Sequence, residues 1–186
     1  MKLFDEIPYI DGKQTILHRL SENDAPAIDD LRNNAKVKRY LPTYLAELEY
    51  NDIHELLNVL YTTLFDNKEN LFLGAYLKET GECMGIAEFY DYKTDSHEVS
   101  IGIRLREAFW GKGFASDILH IMLEYLFENT DIETVTTCNF VENRASSHLV
   151  ENNGFTLICP SVSQDWGYDE PVIAEKWIMH KSDFNR

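Results

Sequence analysis

The run Trp110-Gly111-Lys112-Gly113-Phe114-Ala115 stands between an apolar strand-like segment, Val99 to Leu105, and an amphipathic helix-like segment, Ser116 to Phe127. A glycine-rich turn that opens a helix exposes backbone N–H groups that no helical carbonyl can satisfy. Gly111 and Gly113 carry no side chain, so an anion can approach those donors closely, and the positive end of the helix dipole adds to the attraction. The chemistry expected of such a turn is phosphate binding, although glycine pairs also serve plain turns.

Other groups compete for attention. Asp117, His120 and Glu124 share one helix face at metal-compatible spacing, but such a set reads more simply as a solvated face, and no metal is expected. Cys138 and His148 suggest a thiol nucleophile, yet Cys138 sits in an apolar strand run and reads as a packed small side chain. Trp166 and Tyr168, interleaved with Asp165, Asp169 and Glu170, offer an acidic and aromatic wall that would hold a cation, or else an exposed acidic loop with one ring tucked inward.

The elements that must position these residues follow from periodicity. Thr15 to Leu20 reads as a first strand, and Ser21-Glu22-Asn23-Asp24 caps a helix from Ala25 to Asn34. A second helix spans Asn51 to Phe65, with Ile53, Leu56, Leu57, Leu60 and Leu64 on one face. Leu71 to Leu77 and Cys83 to Tyr92 form an antiparallel pair joined through Gly81, and His97 to Leu105 is the strand that delivers the chain to the glycine turn. After the turn come a helix whose core face is Phe114, Ile118, Ile121, Met122, Tyr125 and Leu126, a strand from Ile132 to Phe140, a helix from Asn143 to Asn152 ended by Gly154, and a last strand from Val172 to His180. Residues 163–170 read as a loop.

The 186 residues are 44% hydrophobic, with no linker-like stretch, and predict a single domain over residues 1–186. Lys and Arg total 17 against 32 Asp and Glu, a formal charge of −15 that argues against nucleic acid and favours cationic partners. Cys83, Cys138 and Cys159 are scattered without a CxxC pair, which suits a reducing cytoplasm. The start of the chain lacks the apolar stretch of a signal peptide, and no run approaches the roughly 18 apolar residues that span a bilayer, so a soluble protein with no membrane partner is expected. Oligomeric state is left open, a homodimer included.

In this order the motifs resemble the GNAT superfamily of acyl-CoA-dependent N-acetyltransferases, and within it the Rim-type ribosomal-protein N-terminal acetyltransferases. The resemblance rests on Leu17-His18-Arg19-Leu20, Asp24 and Val37-Lys38-Arg39-Tyr40-Leu41, on Ile101-Gly102-Ile103 before the glycine turn, and on Asn143-Arg144-Ala145-Ser146 before Asn153-Gly154-Phe155. It implies an α/β fold, a central mixed and mostly antiparallel sheet splayed at the coenzyme A site with helices on both faces. Acetyl-CoA would be the acyl donor, its pyrophosphate on the backbone of Gly111, Lys112, Gly113, Phe114 and Ala115. Trp110 departs from the superfamily's Gln or Arg at that position but looks like the Rim-type branch. The resemblance further implies that the backbone of Ile103, Arg104 and Leu105 pairs with the pantetheine amides and that Asn143 hydrogen-bonds the pantetheine arm.

Acetyl transfer to an amine needs an uncharged nucleophile, a polarised thioester and a proton for the departing thiolate. Glu88 and Glu98 lie on strands near the expected reaction centre and either would serve as base, though an exposed strand carboxylate is the plainer reading of each. Ser146, three residues beyond Asn143, is the candidate donor of a hydrogen bond to sulfur, and is equally an ordinary helix start. Val150 stands where many superfamily members carry a tyrosine acid, which leaves positioning and backbone donors to carry the reaction. The acceptor is expected to be a protein N-terminus or a small cationic amine such as a polyamine or aminoglycoside. A non-catalytic acyl-CoA sensor is the alternative.

Overall fold

The computed structural model describes residues 2–184. Eight strands form one sheet: β1 (Ile10–Asp11), β2 (Thr15–His18), β3 (Asn70–Leu77), β4 (Cys83–Lys93), β5 (Glu98–Leu105), β6 (Thr134–Phe140), β7 (Thr156–Gln164) and β8 (Val172–His180), in the spatial order β1-β2-β3-β4-β5-β6-β8-β7. Six helices accompany them: α1 (Ala25–Asn33), α2 (Ala35–Lys38), α3 (Ala46–Glu49), α4 (Ile53–Asn58), α5 (Phe114–Asn129) and α6 (Arg144–Asn152). All neighbouring strands are antiparallel except β5 and β6.

That exception splits the sheet. β5 and β6 pair only through Glu98–Thr134, Val99–Val135 and Ser100–Thr136. Beyond Ser100, β5 stays with β4 as far as Leu105, whereas β6 stays with β8 as far as Phe140. The edge of β5 from Ile101 to Leu105 is therefore left without a ladder partner, a form of edge that accepts an extended ligand. Ser100 Oγ and Thr136 Oγ1, 2.8 Å apart, clip the fork at its apex.

Side chains alternate across each strand, so the register assigns every residue to a face. Val99, Ile101 and Leu105 of β5 join Ile118, Leu119, Met122 and Leu126 of α5 in the larger core. Each such side chain, fully buried, contributes about 1.5–3 kcal/mol. Ser100 and Arg104 point the other way, towards the layer of α1 to α4, whose own core gathers Ile28, Leu31, Leu56 and Leu60 against Phe72 and Ile86. Asp117, one of the metal-spaced residues, clasps the sheet instead: its Oδ2 accepts from Gln14 N, Thr15 N and Thr15 Oγ1.

Sequence periodicity misses four elements. β1 is two residues long, and α2 and α3 four each, too short for any pattern to repeat. β7 hides because it is an edge strand exposed along most of its length and interrupted by register shifts around Cys159, so alternation is lost; Ser163 and Gln164, read as loop, belong to it. The helix expected over 51–65 is α4 followed by a wider π-helical stretch, Val59–Leu64.

Candidate active site

The chain leaves β5 through a short 3-10 turn, Glu107–Phe109, and Trp110 Nε1 donates to Leu105 O at 2.8 Å, pinning the glycine turn to the strand end. Gly111 and Gly113 adopt φ of 69° and 85°, a region costly for residues with a Cβ, and no atom lies within 4 Å of where either Cβ would stand. Ser116 N and Asp117 N both donate to Gly113 O. The N–H groups of Gly111, Lys112, Gly113, Phe114 and Ala115 have no acceptor among the described residues. Five consecutive free donors at the start of a 16-residue helix, with Lys112 beside them, fit a pyrophosphate.

A pocket of about 580 Å³ runs through the fork between β5 and β6. It is lined from both sides of the sheet: Leu119, Asn143, Ser146, Leu149 and Val150 from the α5/α6 layer, and Tyr40, Tyr44, Tyr50, Glu88, Tyr90 and Trp166 among those on the opposite side. Gly102, Ile103 and Arg104 line it along the unpaired edge of β5. Two reactants entering from opposite faces would meet in the gap.

On the α6 side, Asn143 caps its helix by accepting from Ser146 N at 3.3 Å. Ser146 Oγ donates to Asn139 Oδ1 at 2.8 Å, while Asn139 Nδ2 is buried with no partner among the described residues. Val150, at 4% exposure, belongs to the core and brings no polar atom where a tyrosine acid was sought. Ser116 Oγ donates to Asn153 Oδ1 at 3.0 Å and so ties the start of α5 to the end of α6.

On the other side, the expectation that Glu88 is an exposed strand carboxylate is wrong. Glu88 is 4% exposed and both its oxygens are taken, Oε1 by Asn70 Nδ2 at 2.5 Å and Oε2 by Arg104 Nη1 at 2.7 Å. The Arg104 guanidinium is shared with Glu47 of α3, a second buried carboxylate that accepts from both Nε and Nη2. Burial works against its charge, yet Glu47 and Glu88 together raise its pKa. Glu98 does not reach the pocket: it lies at the far end of β5, bound to Lys93 Nζ at 2.7 Å. Register explains both outcomes, since Glu88 opposes Gly102 beyond the fork and Glu98 opposes Thr134 before it.

The aromatic wall is built on Phe140. Trp166, Tyr40 and Tyr168 pack around its ring at 4.7, 5.6 and 5.9 Å. Thr43 N donates to Trp166 O at 2.9 Å and Tyr168 OH to Leu41 O at 2.8 Å, so the β7–β8 loop is joined to the segment between α2 and α3. Asp165, Asp169 and Glu170 are absent from the pocket lining. Cys138 does line it, but burial pushes its thiol above the ordinary value despite the opposing effect of Lys176, which disfavours the thiolate a nucleophile needs. Asn139, Tyr90, Lys176 and Glu47 were invisible to motif reading; the pairing of β6 with β8 and of β4 with β5, and the hold of Arg104 on α3, bring them here.

Residues 14–156 match the acetyltransferase (GNAT) domain, and the chain belongs to that family. It is 25% identical over 150 residues to YoaA, an uncharacterised N-acetyltransferase of Bacillus subtilis, covering 80% of this chain and 82% of that one. With the spermidine N(1)-acetyltransferase of Vibrio cholerae it shares 26% identity over 144 residues, 77% and 80% of the two chains. The structure of RimL, a ribosomal L7/L12 alpha-N-protein acetyltransferase in complex with coenzyme A, superposes with a TM-score of 0.77 at 19% identity, over 93% of this chain and 98% of RimL. The protein is an acetyl-CoA-dependent N-acetyltransferase acting on an amine.

Proposed function

We propose that acetyl-CoA binds with its pyrophosphate on the N–H groups of Gly111 to Ala115 and its pantetheine along the free edge of β5 at Ile103, Arg104 and Leu105, next to Asn143. The acceptor, a primary amine of a small molecule, enters from the aromatic side and attacks the thioester in the gap. The observation that carries this reading is the pocket's passage through the fork, lined from both faces of the sheet. The loops joined at Thr43–Trp166 and Leu41–Tyr168 wall the aromatic side of the pocket, which supports a small acceptor over an extended protein chain.

The amine nitrogen forms its bond to the thioester carbonyl carbon, the C–S bond breaks, and the amine's proton leaves as the thiolate gains one. Glu88, with both oxygens occupied, orders the acceptor floor and is the weaker candidate for base; Glu98 lies outside the pocket. Water in the pocket is the route we assign to the departing proton. Ser146 supplies the hydrogen bond to sulfur once its hydroxyl is released from Asn139 Oδ1. Turning the Asn139 amide over would achieve this: Nδ2, now unpartnered, would donate to Ser146 Oγ and free the serine hydrogen.

Direct transfer predicts initial-velocity lines that intersect when acetyl-CoA and amine are varied together, with Cys138→Ala unable to change that pattern. Parallel lines, or an acetylated Cys138 in the absence of amine, would exclude it. Among the described residues no helix is long and apolar enough to cross a membrane, and the three free cysteines support a cytoplasmic location.

A further inference from the structure

We infer that the acceptor carries an anionic group in addition to its amine, and that Lys176 holds that group. This rests on the acetyl-transfer reading and narrows its substrate class. Lys176 lies on β8 opposite Cys138 of β6, and both line the pocket. Cys138 is two residues beyond Thr136 at the apex of the fork, so Lys176 stands about 7 Å along the strands and about 5 Å across from the point where β5 and β6 part. Its side chain points to the same face as Phe140, whose ring anchors the aromatic wall, and opposite to that of Asn139 and Ser146. Lys176 is on the acceptor side.

Among the described Lys and Arg residues, Arg32, Lys36, Lys78, Lys93, Arg104, Arg106, Arg144 and Lys181 pair with a carboxylate, and the unpaired ones other than Lys176 are exposed. Lys176, half-buried in the pocket, has no carboxylate partner among the described residues. The carboxylates that line the same pocket are mostly committed: Glu88 to Arg104 and Asp91 to Lys93, leaving Glu49 on the exposed rim. A polycation would place its second charge against Lys176 with no free carboxylate on the floor to compensate. An amine bearing a carboxylate or a phosphate would place that group on the ammonium while its apolar body lies among Tyr40, Tyr44, Tyr90 and Trp166. The −15 charge of the whole molecule attracts cations from a distance, but within the pocket Lys176 presents an ammonium to whatever enters.

The test compares amines of one length that differ only at the far end: 6-aminohexanoate, hexylamine and 1,6-diaminohexane, with glucosamine and glucosamine 6-phosphate as the phosphate arm. CoA release is the readout. The expected order is the acid or the phosphate ester at least about tenfold above the neutral or dicationic counterpart in kcat/KM. The better of the two anionic arms identifies the group. Lys176→Ala should erase the difference and Lys176→Glu should reverse it in favour of the diamine, each with an unchanged KM for acetyl-CoA to show that the donor site is intact. A wild-type preference for the diamine, or a preference unmoved by both substitutions, would overturn the inference while leaving acetyl transfer standing. Acetyl-CoA binding without CoA release on any amine, peptides included, would instead overturn the acetyl-transfer reading and this inference with it.

Discussion

Asn139 and Ser146 form the smallest unit in which structure changes the chemical argument. A serine at the start of a helix is ordinary, and Asn139 belongs to no motif, but β6 places the amide beside the hydroxyl and leaves its own Nδ2 unsatisfied in a buried position. A buried donor without a partner is unfavourable by about 1–3 kcal/mol, so the amide has reason to turn. Ser146→Ala should lower kcat roughly 10- to 100-fold with acetyl-CoA affinity unchanged. Asn139→Ala takes away the turned amide that would fix the serine oxygen and should lower kcat in the same direction, and the double variant should be no worse than Ser146→Ala if Asn139 acts only through the serine. Stopped-flow CoA release with a saturating amine checks this, and additive losses would separate the two. At the glycine turn, Gly113→Glu should remove acetyl-CoA binding by calorimetry, since a carboxylate would stand against the pyrophosphate. Gly113→Ala is the control, because it shares the strain of φ 85° but adds no charge.

Between elements, the decisive feature is that β5 has two allegiances. Its backbone edge beyond Ser100 is free for the donor, while the Arg104 side chain crosses to the other layer and binds Glu47 of α3 and Glu88 of β4. α3, which lines the acceptor side of the pocket through Ala46 and Glu49, is therefore anchored to the strand proposed to hold the donor. Removing the guanidinium would leave two buried carboxylates facing each other, so Arg104→Ala should cost about 3–5 kcal/mol in urea unfolding. Glu47→Gln, which keeps a hydrogen-bonding group, should cost less. Much of this layer was legible beforehand: the strands leading to the turn, α5 with its apolar face and the cap at Asn143 all show period and punctuation. The short α2 and α3 and the edge strand β7 do not, for they hold too few turns or too little burial to impose a pattern. The fork was expected only through resemblance. It arises because β6 and β8 run together for seven residue pairs while β5 follows β4, a matter of pairing at long range.

Over the whole molecule, buried neutral acids set the response to alkali. Burial, with Asp24 nearby, pushes the Cys83 thiol from its ordinary 9.0 up to about 12, and burial with Glu6 nearby pushes Tyr125 up to about 12. Tyr61, Tyr76 and Tyr90 are raised as well, each chiefly by burial. A group whose pKa is raised on folding stabilises the fold fully below its unfolded value, and that contribution is lost as pH climbs to the folded value. The Tm should therefore fall between pH 9 and pH 12, and Cys83→Ala should flatten the fall, as followed by circular dichroism. A Tm that holds constant across that window would contradict this burial. Net charge works at the same scale and misleads at a smaller one: −15 suggests a cationic acceptor, yet the pocket presents the unpaired Lys176. The sequence by itself determined the donor end, because a glycine turn, its flanking strand and its helix are neighbours in the chain and their geometry is local. Only the tertiary structure decided the acceptor end. Glu88, Asn139, Trp166 and Lys176 come from four separate segments, and strand register, with the loop contact that seats Trp166, sets which of them share a face and which cation is left without an ion pair.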